Sequence, residues 1–116
     1  MQIITTITSN PYQEFSYVME DGKKATFTLR FLPTQGRWLM DVSDANGFEI
    51  KGLYVCCHPN LLDKWHSIIK YGVNISTNDK IDPFTQDDFE SGYAMFAILN
   101  EEEQKEATEY LNGLQS

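Results

Sequence analysis

The side chains best suited to metal or nucleophile chemistry lie in one short stretch of the chain. Cys56, Cys57 and His58 are consecutive, and His66 follows in the same segment. Zinc sites typically use cysteines that are separated by a few residues, so that both thiolates reach one tetrahedral ion. Adjacent cysteines on a strand point to opposite faces, which also makes a disulfide between them strained. We therefore expect free thiols, in keeping with assembly in a reducing compartment, and no metal site.

Catalytic patterns are otherwise missing from the sequence. A cysteine–histidine nucleophile would have to be built from Cys57 and His66, and no signature around either residue supports it. Neither a phosphate-cradling glycine loop, nor a G-x-S-x-G nucleophile elbow, nor an H-E-x-x-H helix occurs. The sequence thus predicts a protein that is not an enzyme and that uses no cofactor.

The acidic residues are distributed unevenly. Residues 1–77 hold seven acidic and seven basic residues, whereas residues 78–116 hold ten acidic residues and two lysines. The net charge of −8 therefore comes from the last third of the chain, and it argues against binding to nucleic-acid phosphates. The acids of residues 78–91 lack the glycine and the spacing of a calcium loop, and no two of them stand out as a catalytic carboxylate pair. This segment is predicted to be an acidic loop.

Two phenylalanines, Phe84 and Phe89, interrupt the acidic loop. Such side chains either fix a loop to its own domain or enter a partner. Aromatic anchors within a polar rim are common at recognition surfaces. The predicted interaction surface consists of Asp82, Phe84, Asp87, Asp88, Phe89 and Glu90.

The elements that would position this loop are mostly strands. Residues 13–19 and 25–31 alternate apolar and polar side chains, and the Asp21-Gly22 turn between them predicts a hairpin. Similar alternation continues through residues 38–51, and Gly52 indicates a β-bulge. The apolar run of residues 93–99 is typical of a central strand that is buried on both faces.

Two segments between and after these strands have helical features. Residues 59–71 carry apolar side chains on one helical face, which favours a short helix, but a structured loop with apolar anchors explains them nearly as well, and both interpretations stay open. Asn100 precedes three glutamates, which is typical of a helix N-cap followed by an acidic first turn, and Gly113 stands where a helix commonly ends. No apolar run approaches the ~20 residues that span a bilayer.

These features predict a single, mainly β domain. We expect a small antiparallel β-sandwich or barrel of about seven strands with a C-terminal α-helix. In this division, residues 1–99 form the β-rich core with its acidic loop at 78–91. Residues 100–116 form an acidic helix that packs on the core or extends from it.

Parts of the sequence resemble the baseplate plug proteins of cyanophages and other contractile-tailed phages. The resemblance lies in Asn10-Pro11-Tyr12-Gln13-Glu14-Phe15, in the hairpin that leads into Phe27-Thr28-Leu29-Arg30, and in Trp38-Leu39-Met40-Asp41-Val42. It continues through Gly52-Leu53-Tyr54-Val55 and Leu61-Leu62 to the strand of residues 93–99, and covers about residues 1–103. The Pro11-Tyr12 insertion and the charged helix after Glu103 depart from the family pattern.

This resemblance implies a non-enzymatic structural protein of the virion tail baseplate, assembled in the host cytoplasm. Its partners would be hub, spike and tube proteins, and it would be present as a homo-oligomer within the assembly. It would bind no nucleic acid and would not span a membrane. A second hypothesis is a small acidic phage protein that binds or inhibits a basic surface of a host protein in the cytoplasm.

Overall fold

The chain folds into two antiparallel β-sheets that pack against a common core, with one helix at the C-terminus. The computed structural model describes residues 1–19 and 22–115, apart from the side chains of residues 114 and 115. The first sheet has the order β1 (Gln2–Ile4), β7 (Ala94–Leu99), β6 (Gly72–Thr77). The second has the order β2 (Tyr12–Val18), β3 (Lys24–Leu32), β4 (Arg37–Asp44), β5 (Glu49–Tyr54). The predicted mainly β fold with a C-terminal helix is confirmed.

The core joins the two sheets through aromatic rings. Phe27 of β3 lies 5.7 Å from Phe96 of β7, measured between ring centroids, and Phe15 of β2 contacts both. The alternation that predicted β3 places Ala25, Phe27 and Leu29 fully inside. Burying an aromatic ring of this size contributes roughly 2–3 kcal/mol relative to leaving it exposed, so these rings hold the sheets together.

The predicted pairing of the first hairpin and the predicted bulge also occur. Strands β2 and β3 pair with Phe15 opposite Phe27, although Asp21 of the predicted turn lies outside the described residues. The register of β4 and β5 shifts opposite Asp41, and Gly52 there has φ +74°. The Gly52 N–H donates to Asp41 Oδ1 at 2.8 Å, so the bulge is fixed by a side chain.

Residues 59–71 form a structured loop with a single 3₁₀ turn, Asp63–Trp65, rather than the α-helix that was the other interpretation. The buried side chain of Asn60 explains this backbone, because its Oδ1 accepts the N–H groups of Leu62 and Val73, both at 3.0 Å. Segment 58–61 runs along the outer edge of β6, since His58 exchanges backbone hydrogen bonds with Ile75 and Leu61 donates to Val73. Leu62 is buried, whereas Ile68, which the helical pattern had grouped with it, is exposed.

Helix α1 (Glu101–Gln115) begins with the predicted cap. The Asn100 side chain accepts the N–H of Glu103 at 2.8 Å, and the Glu103 carboxylate accepts the N–H of Asn100 at 3.1 Å. The helix continues through Gly113, so this glycine does not end it. Buried Gln104 attaches the helix to the body by donating to the carbonyl of Tyr71.

Candidate functional site

The acidic loop connects β6 to β7 at the end of the sandwich where the β3–β4 turn also lies. The indole N–H of Trp38, at the start of β4, donates to the carbonyl oxygen of Thr85 at 3.0 Å. Gln86 donates to the carbonyl oxygen of Ser9, in the segment that leads from β1 into β2. Strand β4 and the segment between β1 and β2 therefore hold the loop from two sides.

Asp88 organises the loop from inside. Its side chain is buried, and its Oδ2 accepts the N–H groups of Phe84 and Thr85 at 2.7 and 2.9 Å. Its Oδ1 accepts the hydroxyl of Thr85 at 2.5 Å. A buried carboxylate needs such donors to replace its lost hydration. Asp88 therefore has a structural role within this loop.

The two phenylalanines of the loop have different surroundings. Phe89 is buried, with its ring centroid 5.6 Å from that of Trp38 and 6.4 Å from that of Phe96. Phe84 is 53% exposed, and its ring meets that of Tyr93 edge to face at 6.2 Å. Phe89 thus fixes the loop to the domain, and Phe84 is the aromatic side chain that remains available to a partner.

The six residues of the predicted interaction surface likewise divide into a buried group and an exposed group. Asp88 and Phe89 lie inside the fold, whereas Asp82, Phe84, Asp87 and Glu90 are exposed; we call these four residues the acidic-loop surface. Asp82 accepts the N–H of Cys57 at 2.8 Å. The side chains of Asp87 and Glu90 have no polar partner within residues 1–19 and 22–113. Whether the four residues bind a partner stays a prediction.

A tyrosine–aspartate pair stands beside this surface. The hydroxyl of Tyr93 donates to Asp79 Oδ1. This hydrogen bond, with desolvation as a smaller cause, raises the pKa of Tyr93 above its ordinary value. No sequence pattern indicates this pair, because the two residues lie at opposite ends of the loop and no periodicity relates them.

The cysteines and histidines do not converge. Nδ1 of His58 accepts the N–H of Asn60, and Nδ1 of His66 lies 2.7 Å from the carbonyl oxygen of Asp63. Both cysteines are free, and burial, followed by the charge of Asp82, raises the pKa of the Cys56 thiol. Across the described part of the chain, no group of three or more His, Cys, Asp or Glu side chains could hold a metal ion.

A cleft of about 1150 Å³ lies at the other end of the sandwich, between the tip of the β2–β3 hairpin and the start of α1. Within its lining, the hydroxyl of Tyr71 donates to Asp44 Oδ2 at 2.9 Å. Burial and this hydrogen bond raise the pKa of Tyr71 above its ordinary value. The lining mixes lysines, carboxylates and apolar side chains, so it favours no single class of ligand.

The outer face of the four-stranded sheet carries a row of side chains that no sequence pattern indicates. Tyr12, Arg30, Leu39 and Tyr54 lie opposite one another on β2 to β5. Arg37 stands over the ring of Tyr54, 5.0 Å from its centroid. Both tyrosines are more than half exposed. A row across strands becomes visible only when the register is known.

Geometry and comparison together identify the class of the protein. The chain is a small antiparallel β-sandwich with an acidic loop at one end and a helix after its last strand. In residues 1–19 and 22–115, no helix has the length and apolar character needed to cross a membrane. A family model described as the cyanophage baseplate Pam3 plug gp18 matches residues 1–101.

The chain therefore belongs to this family of phage baseplate plug proteins, and the resemblance in its sequence is confirmed. Members of the family are structural components of the virion baseplate, and membership implies association with other baseplate proteins. No curated protein matches the chain.

Proposed function

We propose that the protein is a non-enzymatic component of the plug and hub region of a phage tail baseplate, and that it acts through protein–protein contacts. Family membership supports the location. The acidic-loop surface supports the mode of action, since it offers the exposed ring of Phe84 beside the carboxylates of Asp87 and Glu90, which the fold does not use. Hub, spike and tube proteins with basic surfaces are the expected partners, and assembly takes place in the host cytoplasm.

The exposure of Phe84 is the observation on which this surface rests. Its backbone N–H is held by buried Asp88, while its ring is 53% exposed. An aromatic side chain on a fixed backbone loses little conformational freedom on binding. Asp87 and Glu90 would surround it as a charged rim, which sets orientation and association rate more than affinity.

A complementation experiment tests the surface. The loop variant combines Phe84→Ala, Asp87→Asn and Glu90→Gln, and the control variant combines Tyr110→Ala, Glu106→Gln and Glu109→Gln on helix α1. Each variant removes one exposed aromatic ring and two exposed carboxylates. We expect the loop variant to be depleted at least tenfold from purified tails, because removing a central aromatic anchor commonly costs about 2 kcal/mol, and the control to be incorporated normally.

The amount of each protein in purified virions is measured by quantitative mass spectrometry, with thermal unfolding as the test of folding. Normal incorporation of the folded loop variant would contradict the role of this surface. Depletion of both variants to the same extent would show that overall charge matters rather than the loop.

The cytoplasmic inhibitor is the second hypothesis, and the family match does not favour it. It predicts that the wild-type protein stays in the lysate and is missing from purified tails. The same fractionation therefore separates the two functions before any variant is made.

We also propose that residues 1–99 are the core domain and that the helix of residues 100–116 is an attachment to it. The family match ends at residue 101, where α1 begins. The polar contacts that hold the helix to the body lie in its first half, where Gln104 donates to Tyr71 and Thr108 donates to Asp63.

A further inference from the structure

Each of the two sheets has two outer edges, and three of these four edges are protected. The edge of β6 is covered by segment 58–61, where His58 and Ile75 exchange backbone hydrogen bonds. Strand β1 is only three residues long. Strand β5 is interrupted by the bulge at Gly52. Short strands, bulges and coverings are the means by which proteins prevent edge-to-edge pairing.

The fourth edge, strand β2, has no such protection. It is a seven-residue strand without a bulge, and Glu14 is its only charged residue. Segments with these properties pair readily with other strands. The difference between β2 and the other three edges is the observation that carries the inference.

The hydrogen-bond pattern shows which backbone groups β2 presents. Phe31 donates to Pro11 and Met19 donates to Lys23, so odd-numbered residues of this strand face β3. The N–H and C=O groups of Glu14, Ser16 and Val18 therefore point away from the sheet. Within residues 1–19 and 22–115 these groups have no backbone partner. The Tyr12 N–H is already taken by the side chain of Asn10.

We propose that this edge is a self-association surface, on which β2 pairs antiparallel with β2 of a second copy around a two-fold axis at Phe15. In this register Tyr12 of each copy lies opposite Val18 of the other, and Glu14 lies opposite Ser16. Tyr12 and Val18 are 62% and 61% exposed, and they lie on the same face of the sheet. The pairing would cover each of them with the other.

The strand is self-complementary with the axis at Phe15 and not with the axis at the preceding residue. A two-fold axis at Glu14 would bring the two carboxylates directly opposite each other, which is unfavourable. An axis at Phe15 separates the charges and pairs residues 12–18 of the two copies, with the Tyr12 N–H remaining on Asn10. A second copy of this chain is therefore the partner that fits the edge.

This inference follows from the sheet edges alone and does not depend on the proposed function. It involves none of the residues of the acidic-loop surface. A failure of one proposal therefore leaves the other intact.

The full-length chain is tested by analytical ultracentrifugation over a wide range of concentrations. The wild type is expected to form a dimer as concentration rises. Ser16→Pro should raise the dimer dissociation constant at least about tenfold, because proline removes an outward N–H from each copy at the pairing edge. Ser16→Thr keeps the N–H and should behave as the wild type. A wild type that stays monomeric throughout, or a dimer that Ser16→Pro leaves unchanged, would overturn the proposal.

Cross-linking tests the register without relying on the proline variant. Tyr12→Cys and Val18→Cys are made separately in a background with Cys56→Ser and Cys57→Ser, and a short bismaleimide is added. A mixture of the two variants should cross-link, because residues 12 and 18 lie opposite each other across the axis. Each variant alone should not, since its two cysteines would lie about 20 Å apart along the strands. Cross-linking of either single variant, or none in the mixture, would overturn the register.

Discussion

Two long irregular segments of this small domain are built on the same device. The loop of residues 55–71, which we call the Asn60 loop, is organised by one buried amide oxygen, and the acidic loop by the buried carboxylate of Asp88. In each case a single side chain accepts two backbone N–H groups that no strand or helix satisfies. Buried donors need such partners, so a loop in a compact fold can be fixed by one well-placed polar residue.

The two loops differ in their number of acidic residues. The Asn60 loop contains one acidic residue and two lysines, whereas the acidic loop contains five acidic residues and one lysine. Asp88 and Trp38 hold the backbone at Phe84 and Thr85, and neither Asp87 nor Glu90 takes part. The second loop therefore has more acidic residues than its backbone contacts use, which supports the proposed role of its exposed acids in recognition.

The largest effect should come from the acidic loop. Asp88→Ala leaves two N–H groups and a hydroxyl without their acceptor, and we expect the free energy of unfolding to fall by about 3 kcal/mol. Urea denaturation measures it. Asp87→Ala, at the adjacent exposed position, is the matched control, and equal losses in the two variants would contradict the role given to Asp88.

A slightly smaller effect is expected in the Asn60 loop. A β-carbon on Gly72 would lie 2.5 Å from Asn60 Oδ1, so Gly72→Ala should displace this side chain and cost about 2 kcal/mol. The same change in an Asn60→Ala background should cost much less, because the obstructing atoms are gone. A double-mutant cycle by urea denaturation measures the difference. Additive costs would show that Asn60 and Gly72 are not coupled.

The end of the Asn60 loop provides a pH-dependent test. Tyr71→Phe removes the hydrogen bond to Asp44 and should cost about 1 kcal/mol at neutral pH. Folding raises the pKa of Tyr71 above its ordinary value of 10, so its contribution to stability is complete below pH 10. The contribution decreases as pH rises from there towards the raised pKa, because Tyr71 loses its proton first in the unfolded chain. Thermal unfolding of both proteins from pH 8 to 11 should show curves that converge at high pH. A constant difference would contradict the assignment.

The smallest effect is predicted for the exposed acids. Asp87→Asn together with Glu90→Gln should change the free energy of unfolding by less than about 0.5 kcal/mol, since neither side chain holds the loop. A larger loss in urea denaturation would show that these acids serve folding after all. Comparing its free energy of unfolding with that of Asp88→Ala shows, within one loop, which acids stabilise the fold.

Much of the fold could be predicted because it follows from local patterns. Alternation in residues 25–31 identified β3, and Asn100 with Glu103 formed the expected helix cap. The backbone of residues 59–71 could not be predicted, because Asn60 accepts hydrogen bonds from residues close and distant in sequence. The periodic sequence patterns that predict strands and helices do not indicate such a contact.

The candidate site was predictable as a segment and not residue by residue. Phe84 and Phe89 have the same side chain in a similarly polar context, and only the position of Trp38 in the folded domain places one of them inside. Likewise Asp87 and Asp88 are neighbours with equal charge. Their opposite burial depends on the turn of the backbone, which the loop composition does not specify.

The contact between Trp38 and the acidic loop allows the state of the loop to be followed by intrinsic tryptophan fluorescence. The indole donates to Thr85 and stacks edge to face on Phe89, so its fluorescence depends on whether the loop is seated. Trp65, the other tryptophan, lies in the Asn60 loop, and Trp65→Phe would leave Trp38 as the single emitter. Emission from that variant would follow loop release, or docking of a partner on the loop, without any attached label.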